Sequence, residues 1–401
     1  MSIEGKYTDD VKKFVQDHLN DDPAQLLLGY AGKVDFDLRF AVQQIKARQK
    51  AKSKVPSWCE NENLIFPVSL SMEQASSELT ARYKAGLISG GIMADLTGGL
   101  GVDSYFLSQK FRSAVYCERN KDLFDITKHN LKILSPDKFD FVFGDSMNWF
   151  NNQQEVFDLV FIDPARRGEG NQKLYRLEDC EPDVMAQWDG LKTKSKAILV
   201  KASPMLDIKQ ALQSLSGLAK VLVLSVKNEV KEVLLFWSAS SLESVPQIEA
   251  IDIRNEASIA FSFTFEEEEN TSNKIAEEVG QYLYEPNAAI LKAGAFKIFG
   301  QRFGLEKIHP NSHFFTGNEV VGQVPGRVFE IHSEIKQPKK EIRKLFPSGK
   351  ANVLTRNYSM STDELKRKFR LKDGGEDFLI GSQTAKGFQL WHCSRVKGES
   401  E

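Results

Sequence analysis

Residues 94–103 read Ala-Asp-Leu-Thr-Gly-Gly-Leu-Gly-Val-Asp, a glycine-rich turn that follows a short apolar run. Three more acidic residues come after it, Glu118, Asp145 and Asp163, and each of them ends an apolar run of its own. Ligands of doubly wound sheets bind at the carboxyl ends of the parallel strands, where such residues meet. The pattern therefore predicts a sheet that binds a nucleoside-bearing cofactor.

Apolar runs and helix-forming stretches alternate around this motif, as is typical of a parallel sheet with helices on both faces. We expect strands near 92–97, 114–118, 139–144, 157–163, 196–201, 220–226 and 231–237, and helices near 102–110, 121–134, 179–191 and 205–215. Only Lys227-Asn228-Glu229 separates the last two strands, which is too short for a crossover helix. The predicted fold class is α/β, a Rossmann-like seven-stranded sheet that is parallel with a terminal antiparallel hairpin.

The rest of the chain is expected to form smaller domains. We predict a helical N-terminal domain over 1–57, the cofactor-binding domain over 58–245, an α+β module over 246–325 and a basic α+β domain over 326–401. Within the third of these, we expect the acidic run 266–269 to be a solvated turn and residues 276–300 to be helical.

Composition limits the compartment and the class of protein. The N-terminus is polar and no stretch approaches about 18 apolar residues, so neither a secretion signal nor a membrane span is expected. Four cysteines are scattered without a Cys-x-x-Cys pair, which favours a reduced, cytoplasmic protein without structural zinc.

The charge of the chain is uneven. Residues 336–372 carry 12 Lys or Arg against 3 acidic residues, although the whole chain has a net charge of −2. This segment is either a solvated basic surface or a polyanion-binding one, because clustered Lys and Arg dominate nucleic-acid affinity. We expect structured RNA as the partner, with no DNA and no membrane. The sequence gives no oligomeric state.

The residues of the motif suit a nucleoside cofactor. Gly98, Gly99 and Gly101 allow a sharp turn and a close approach to a ligand. Asp95 can hold the amino-acid part of a cofactor, and Glu118 can accept hydrogen bonds from both ribose hydroxyls. Asp145, with Ser146 beside it, can receive an adenine amino group.

A dinucleotide is the alternative cofactor, since Gly99-Leu-Gly-Val-Asp-Ser104 nearly fits G-x-G-x-x-G. The terminal hairpin and the acids Asp145 and Asp163 favour S-adenosylmethionine instead.

Residues 71–237 resemble a class I S-adenosylmethionine-dependent methyltransferase, and 326–395 resemble the THUMP-like domain of one bacterial branch of that superfamily. The stretches 74–85, Asp163-Pro-Ala-Arg-Arg-Gly168 and Leu371-Lys-Asp-Gly-Gly375 are similar to that branch in particular. The resemblance implies a ferredoxin-like module near 246–325. It also implies an RNA-modifying enzyme, because THUMP domains hold structured RNA. The cofactor-binding residues that it implies, beside those already named, are Gln74, Ser77, Thr97 and Asp103.

The same resemblance implies that Asp163, Pro164 and Arg166 are catalytic. Amino-methylating relatives have Asn/Asp-Pro-Pro-Tyr/Phe here, so Ala165 and Arg166 depart from the pattern. A guanidinium can also stack on a base or bind phosphate, although Arg166-Arg167 is equally compatible with a structural ion-paired loop. We expect methylation of a base nitrogen in tRNA or rRNA. The alternatives are a protein methyltransferase and a non-catalytic RNA-binding module.

Other chemistry finds less support. No cysteine stands at 163–168 or directly after the fifth strand, which argues against a carbon acceptor that needs a thiol nucleophile. His309 and His313 have i, i+4 spacing, but Pro310 and Asn311 between them argue against a helical metal site.

Overall fold

Two units make up the chain. The structure is a computed structural model, and it describes residues 3–67, 72, 75–166, 176–241, 245–254 and 257–396. One unit is Met1–Lys220 with Val233–Ser244, and the other is Val221–Glu232 with Val245–Glu401. The predicted domain limits at residues 57, 245 and 325 stay a prediction.

Short helices open the first unit. They are α1 Ile3–Lys6, α2 Asp9–Asp17, α3 Pro23–Tyr30, α4 Leu38–Ala51 and α5 Pro56–Cys59. Thr8, Asp22 and Asp37 each accept a backbone N–H of the first helical turn, which is why α2, α3 and α4 begin where they do. Val11 and Ile45 are fully buried in the core that these helices share.

A parallel sheet forms the centre of the first unit. The elements, in chain order, are α6 Glu78–Ala85, β1 Gly90–Asp95, α7 Val102–Ser108, β2 Phe111–Glu118, α8 Lys121–Leu134, β3 Phe139–Phe143, α9 Ser146–Asn151, β4 Leu159–Ile162, β5 Ala165–Arg166, β6 Cys180–Glu181, α10 Val184–Thr193, β7 Ala197–Ala202 and α11 Ile208–Ser214. The strand order is β3-β2-β1-β4-β7, and every neighbouring pair in it is parallel. The carboxyl ends of these five strands therefore meet at one edge.

A hairpin follows the parallel strands, as predicted. Its strands are β8 Leu218–Val226 and β9 Glu229–Ser238, and β9 pairs antiparallel with β7. Lys227 and Asn228 have φ of 51° and 58°, the left-handed conformation of a two-residue hairpin turn. The base of this hairpin completes the first unit's sheet, and the predicted fold class is confirmed.

The second unit contains the tip of the hairpin and the rest of the chain. Its elements are β10 Gln247–Arg254, β11 Ala257–Phe263, α12 Phe265–Asn270, β12 Tyr282–Pro286, α13 Ala288–Ala293, α14 Lys297–Phe303, β13 Glu306–Lys307, β14 Phe315–Gly317, β15 Gly326–Glu334, α15 Pro338–Leu345, β16 Asn352–Arg356, α16 Thr362–Phe369, β17 Asp377–Thr384 and β18 Gly387–Arg395. Seven of the strands form a sheet in the order β13-β14-β12-β15-β18-β17-β16. Only its β16–β17 pair is parallel.

Two expectations for this unit are wrong. The acidic run is not a turn but helix α12, which begins with a capping box between Thr264 and Glu267. Glu268 is buried and accepts the N–H groups at the start of α14, so this acid is structural rather than solvated. The expected helical stretch 276–300 contains strand β12, and only α13 and the start of α14 are helical in it.

The basic segment forms helices α15 and α16 with the strand β16 between them. Ile342 and Leu365 turn inward and pack in one core with Phe346 and Leu371. Ten of the 12 basic residues are exposed, and the other two pair with acids, Arg356 with Glu285 and Lys366 with Asp373. Among the described residues, no helix is long and apolar enough to cross a membrane.

Candidate active site

A cleft of about 1280 Å³ lies at the carboxyl ends of the parallel strands. It brings together most of the residues that the sequence singled out. Those that line it are Asp95, Thr97, Gly98, Gly99, Gly101, Asp103, Glu118, Asp145, Ser146, Asp163 and Arg166.

Three predicted site residues are not placed in this lining. Ser77 caps α6 by accepting the N–H of Thr80, and its neighbour Ser76 lines the cleft instead. Pro164 follows Asp163 but is not among the described lining residues. Gln74 lies outside the described residues.

Each glycine of the turn is a glycine for a different physical reason. A Cβ on Gly98 would stand 2.1 Å from the Tyr116 ring, so this glycine permits close packing. Gly101 has φ of 80° and begins α7. Gly99 has φ of 54°, and among the described residues a Cβ there would meet only Thr97 O, at 3.8 Å. The space over Gly99 is therefore open to a ligand.

Glu118 is tied to this turn. Its Oε2 accepts the Gly99 N–H at 3.0 Å, and its Oε1 accepts the Asn120 N–H at 2.7 Å. These two bonds fix the carboxylate in one orientation at the end of β2. Because a carboxylate offers about four lone-pair sites, both oxygens can still accept a ligand hydroxyl.

Asp95 ends β1 and is buried. Burial raises the pKa of its carboxyl group to about 7, and the nearby charges of Asp103 and Asp163 act in the same direction. Hydrogen bonds from the Ser104 hydroxyl (2.5 Å) and the Thr97 N–H (2.9 Å) offset only part of this effect. Asp95 is thus a carboxylate whose negative charge is costly without a positive ligand.

Asp145 begins helix α9, which the sequence did not predict. Its carboxylate accepts the Asn148 N–H at 2.9 Å, so it is the N-cap of that helix. Gly144, directly before it, has φ of 123°. Asp145 therefore has a structural role in addition to its place in the cleft.

Asp163 lies at the end of β4. Its N–H donates to Thr97 Oγ1 at 2.6 Å, which joins the ends of β4 and β1. Its side chain is 37% exposed, and Oδ2 lies 2.5 Å from Lys201 Nζ. Arg166, in β5, pairs with Cys180 of β6 in a short antiparallel ribbon. A partly exposed carboxylate and a guanidinium therefore lie at the cleft.

Sequence reasoning missed a charged network beside Asp163. Lys84 is fully buried, and its Nζ lies 2.8 Å from Asp103 Oδ1. Lys201 Nζ lies 3.4 Å from Asp103 Oδ2. Burial alone would raise the pKa of Asp103, but the charges of Lys84 and Lys201 outweigh it and lower that pKa to about 2. Ser76 donates to Asp103 Oδ2 at 2.6 Å and receives a hydrogen bond from each lysine.

Lys201 could have been found from the sequence. It follows the buried run Ala197–Val200 at a strand's carboxyl end, as Asp95 and Asp163 do. Lys84 left no such signal, because it sits inside helix α6, whose sequence does not mark which of its polar residues are buried.

His309 and His313 lie in a turn between β13 and β14. His313 stacks on Phe296 with ring centres 4.1 Å apart, and His309 Nδ1 accepts the Asn311 N–H at 3.1 Å. Within the part of the chain that the structure describes, no group of three or more His, Cys, Asp or Glu could hold a metal ion.

Family models match the C-terminal part of the chain. Residues 282–325 match a ferredoxin-like domain, and residues 326–395 match a THUMP-like domain.

Whole-chain comparisons find relatives as well. The crystal structure of a candidate methyltransferase from Porphyromonas gingivalis W83 is 32% identical, with 99% of this chain and all of that one covered and a TM-score of 0.87. An uncharacterised S-adenosylmethionine-dependent methyltransferase of Mycobacterium tuberculosis is 24% identical over 82% of this chain and 88% of its own length. An uncharacterised RNA methyltransferase of Mycoplasma mobile is 31% identical over a shorter stretch, 18% of this chain and 20% of that protein.

Proposed function

Since the chain belongs to the S-adenosylmethionine-dependent methyltransferases that carry a C-terminal THUMP-like domain, we propose that it methylates a nitrogen of a base in structured RNA. The observation that carries this proposal is the position of Asp163. Its partly exposed carboxylate stands at the cleft formed by the glycine turn, Asp95 and Glu118. A methyl acceptor can therefore reach a carboxylate at the cofactor site.

The cleft residues fit S-adenosylmethionine. Gly99 leaves room for the cofactor, because a Cβ on it would meet no atom of the described residues closer than Thr97 O at 3.8 Å. Asp95 holds the amino group of its methionine part, and burial makes that carboxylate a strong partner for a cation. Glu118 accepts the ribose hydroxyls, and Asp145 with Ser146 receives the adenine. Thr97, Gly98, Gly101 and Asp103 shape the loop around them.

Asp163 positions the acceptor. It accepts an N–H of the base amine, so that the nitrogen lone pair points at the methyl group, and alignment of this kind is the main requirement of the reaction. When bound, S-adenosylmethionine would supply a methyl group on a positively charged sulfur, which a nitrogen lone pair can accept as the carbon–sulfur bond breaks toward sulfur. The proton that the nitrogen then loses passes to Asp163 or to water. The Pro164 carbonyl is a second acceptor for the amine, and the Arg166 guanidinium stacks on the base.

RNA is the acceptor that the rest of the chain favours. Ten exposed basic residues lie on α15, α16 and the segments beside them, and such clusters bind phosphates. The Mycoplasma mobile relative is described as an RNA methyltransferase, and the C-terminal domain is THUMP-like. We place this activity in the cytoplasm, as the four scattered free cysteines favour.

The test uses deproteinised total RNA from a strain that lacks the gene. We expect the purified protein to transfer label from methyl-labelled S-adenosylmethionine to one RNA fraction, and nucleoside digestion then identifies the methylated atom. Asp163→Ala should abolish the transfer and still bind S-adenosylhomocysteine. Asp189→Ala is the matched control, because the Asp189 side chain is 92% exposed on α10.

Two results would contradict the proposal. Label that appears only when cell protein is supplied would assign the enzyme to protein methylation. Loss of S-adenosylhomocysteine binding in Asp163→Ala would show that Asp163 serves the cofactor rather than the acceptor.

A further inference from the structure

Lys201 makes a direct ionic contact with Asp163, the residue that we propose binds the methyl acceptor. It belongs to β7, one residue before that strand ends at Ala202. Its ammonium lies 2.5 Å from Asp163 Oδ2, and only 11% of the Lys201 side chain is exposed. The ion pair is thus shielded on the lysine side and open to the cleft on the carboxylate side.

The surroundings of Lys201 hold its ammonium in place. It donates a hydrogen bond to Ser76 Oγ at 2.9 Å and lies 3.4 Å from Asp103 Oδ2. Three groups from different parts of the chain, Asp163, Ser76 and Asp103, therefore converge on this one ammonium position, which leaves the Lys201 side chain little freedom.

Pairing with Asp103 does not by itself explain why a second lysine, Lys201, lies at this position. Lys84 already pairs with Asp103 at 2.8 Å and is completely buried, so the charge of Asp103 has a dedicated partner. Among the described residues, the shortest ionic contact of Lys201 is instead to Asp163, at 2.5 Å. The contact with Asp163 therefore needs an explanation of its own, in the orientation or the charge of that carboxylate.

We propose that Lys201 is a positioning residue that holds the Asp163 carboxylate by Oδ2 and leaves Oδ1 for the methyl acceptor. The proposal rests on the function assigned to Asp163 above. Among the described residues, none is hydrogen-bonded to Asp163 Oδ1, and the side chain is open to the cleft. An oxygen held in this way accepts one N–H in a single geometry.

Lys201 also sets the charge of the site. Three carboxylates, Asp95, Asp103 and Asp163, face two ammonium groups, those of Lys84 and Lys201. Removal of the Lys201 charge leaves more negative charge beside the reacting centre. A ligand with a positive centre there should gain affinity relative to a neutral ligand, because opposite charges attract more strongly in a shielded site.

The experiment compares Lys201→Met, Lys201→Arg and a control, Lys196→Met. Lys196 directly precedes β7 at the opposite end of that strand, pairs with Asp158 at 2.7 Å and has a side chain that is 67% exposed. Thermal unfolding first establishes that each full-length variant folds. Lys201→Arg keeps a cation next to Asp163, and Lys201→Gln, which also lacks the charge, replaces Lys201→Met if that variant fails to fold.

The first measurement does not depend on RNA. Calorimetry gives the dissociation constants of S-adenosylhomocysteine, which is neutral at the reacting centre, and of sinefungin, which carries an amine there. We expect Lys201→Met to shift their ratio by about threefold or more in favour of sinefungin. Lys201→Arg and Lys196→Met should leave the ratio unchanged. Equal weakening of both ligands in Lys201→Met would overturn the proposal, because a structural lysine has that effect.

The second measurement is single-turnover methylation of the RNA fraction. We expect Lys201→Met to lower the rate at saturating RNA by roughly 10- to 100-fold, the usual cost of a misplaced reacting group. The RNA concentration for half-saturation should stay the same, and Lys201→Arg should recover part of the rate. A Lys201→Met rate within threefold of the wild type would overturn the proposal.

The two measurements separate this proposal from the proposed function. Failure of the wild-type protein to methylate RNA would refute the function, and the ligand ratio would still decide the role of Lys201. RNA methylation by the wild type, with an unchanged ratio and rate in Lys201→Met, would refute the Lys201 proposal alone.

Discussion

Asp95→Asn should stabilise the protein without its cofactor while it impairs cofactor binding. The folded protein holds the Asp95 proton with a pKa of about 7, against an ordinary value of 3.8, because the carboxyl group is buried. Between these two values the folded state binds more protons at this position than the unfolded chain does. The free energy of unfolding therefore falls as the pH rises from about 4 to about 7.

The magnitude follows from the width of that window. Each pH unit is worth about 1.4 kcal/mol, so the part between pH 5 and pH 7 amounts to about 2–3 kcal/mol. Asparagine carries no charge to bury, and it can keep both hydrogen bonds of Asp95. Its carbonyl accepts the Thr97 N–H, and its amide donates to the Ser104 hydroxyl oxygen.

Urea unfolding at pH 5 and at pH 7.5 measures the effect. We expect the stability of Asp95→Asn relative to the wild type to increase by about 2–3 kcal/mol between the two conditions. The exposed control Asp189→Asn should show no such change. The reasoning is refuted if the stability difference between Asp95→Asn and the wild type is the same at pH 7.5 as at pH 5, since burial of the charge would then cost nothing.

Three further predictions concern the cleft and the basic domain. Glu118→Gln should weaken S-adenosylhomocysteine about 10- to 100-fold in calorimetry, because a charged acceptor of two backbone N–H groups is lost; unchanged affinity would remove Glu118 from the cofactor site. Gly98→Ala should lower the free energy of unfolding by about 1–3 kcal/mol, since its Cβ meets the Tyr116 ring; an unchanged urea midpoint would contradict this packing. The double change Lys339→Gln, Arg343→Gln should lower the slope of log K for RNA binding against log salt concentration by about 1.4–1.8 in magnitude. An unchanged slope would exclude α15 from the RNA contact.

The parallel sheet was predictable because its strands are short, mostly apolar runs with a polar or charged residue at or near their carboxyl ends. Asp95, Glu118 and Asp163 mark such ends, and the structure has a strand ending at or directly before each of them. The hairpin was predictable for a different reason, because the stretch 227–229 between the two predicted strands is too short for a crossover helix. Strand ends and turn lengths are local features, and for that reason a single sequence reveals them.

The acidic run shows where local reasoning fails. Four successive glutamates suggest solvent, yet Glu268 is buried because the start of α14 supplies N–H donors to its carboxylate. Those donors come from about 30 residues further along the chain, and no local sequence pattern predicts them. Lys84 was missed for the same reason, since only the folded chain brings Asp103 and Ser76 to it.

The carboxylates at the cleft therefore differ in charge state and in role, although they look alike in the sequence. Asp103 is ionised at any physiological pH because Lys84 and Lys201 face it, whereas Asp95 is largely protonated at pH 6 in the protein without cofactor. A cationic amino group bound to Asp95 favours the ionised form, so binding at pH 6 should release close to one proton from this position. Calorimetry of S-adenosylhomocysteine binding in two buffers of different ionisation enthalpy measures that proton. Binding at pH 6 with no proton release would mean that the amino group is held elsewhere, and the buried charge of Asp95 would then need another partner.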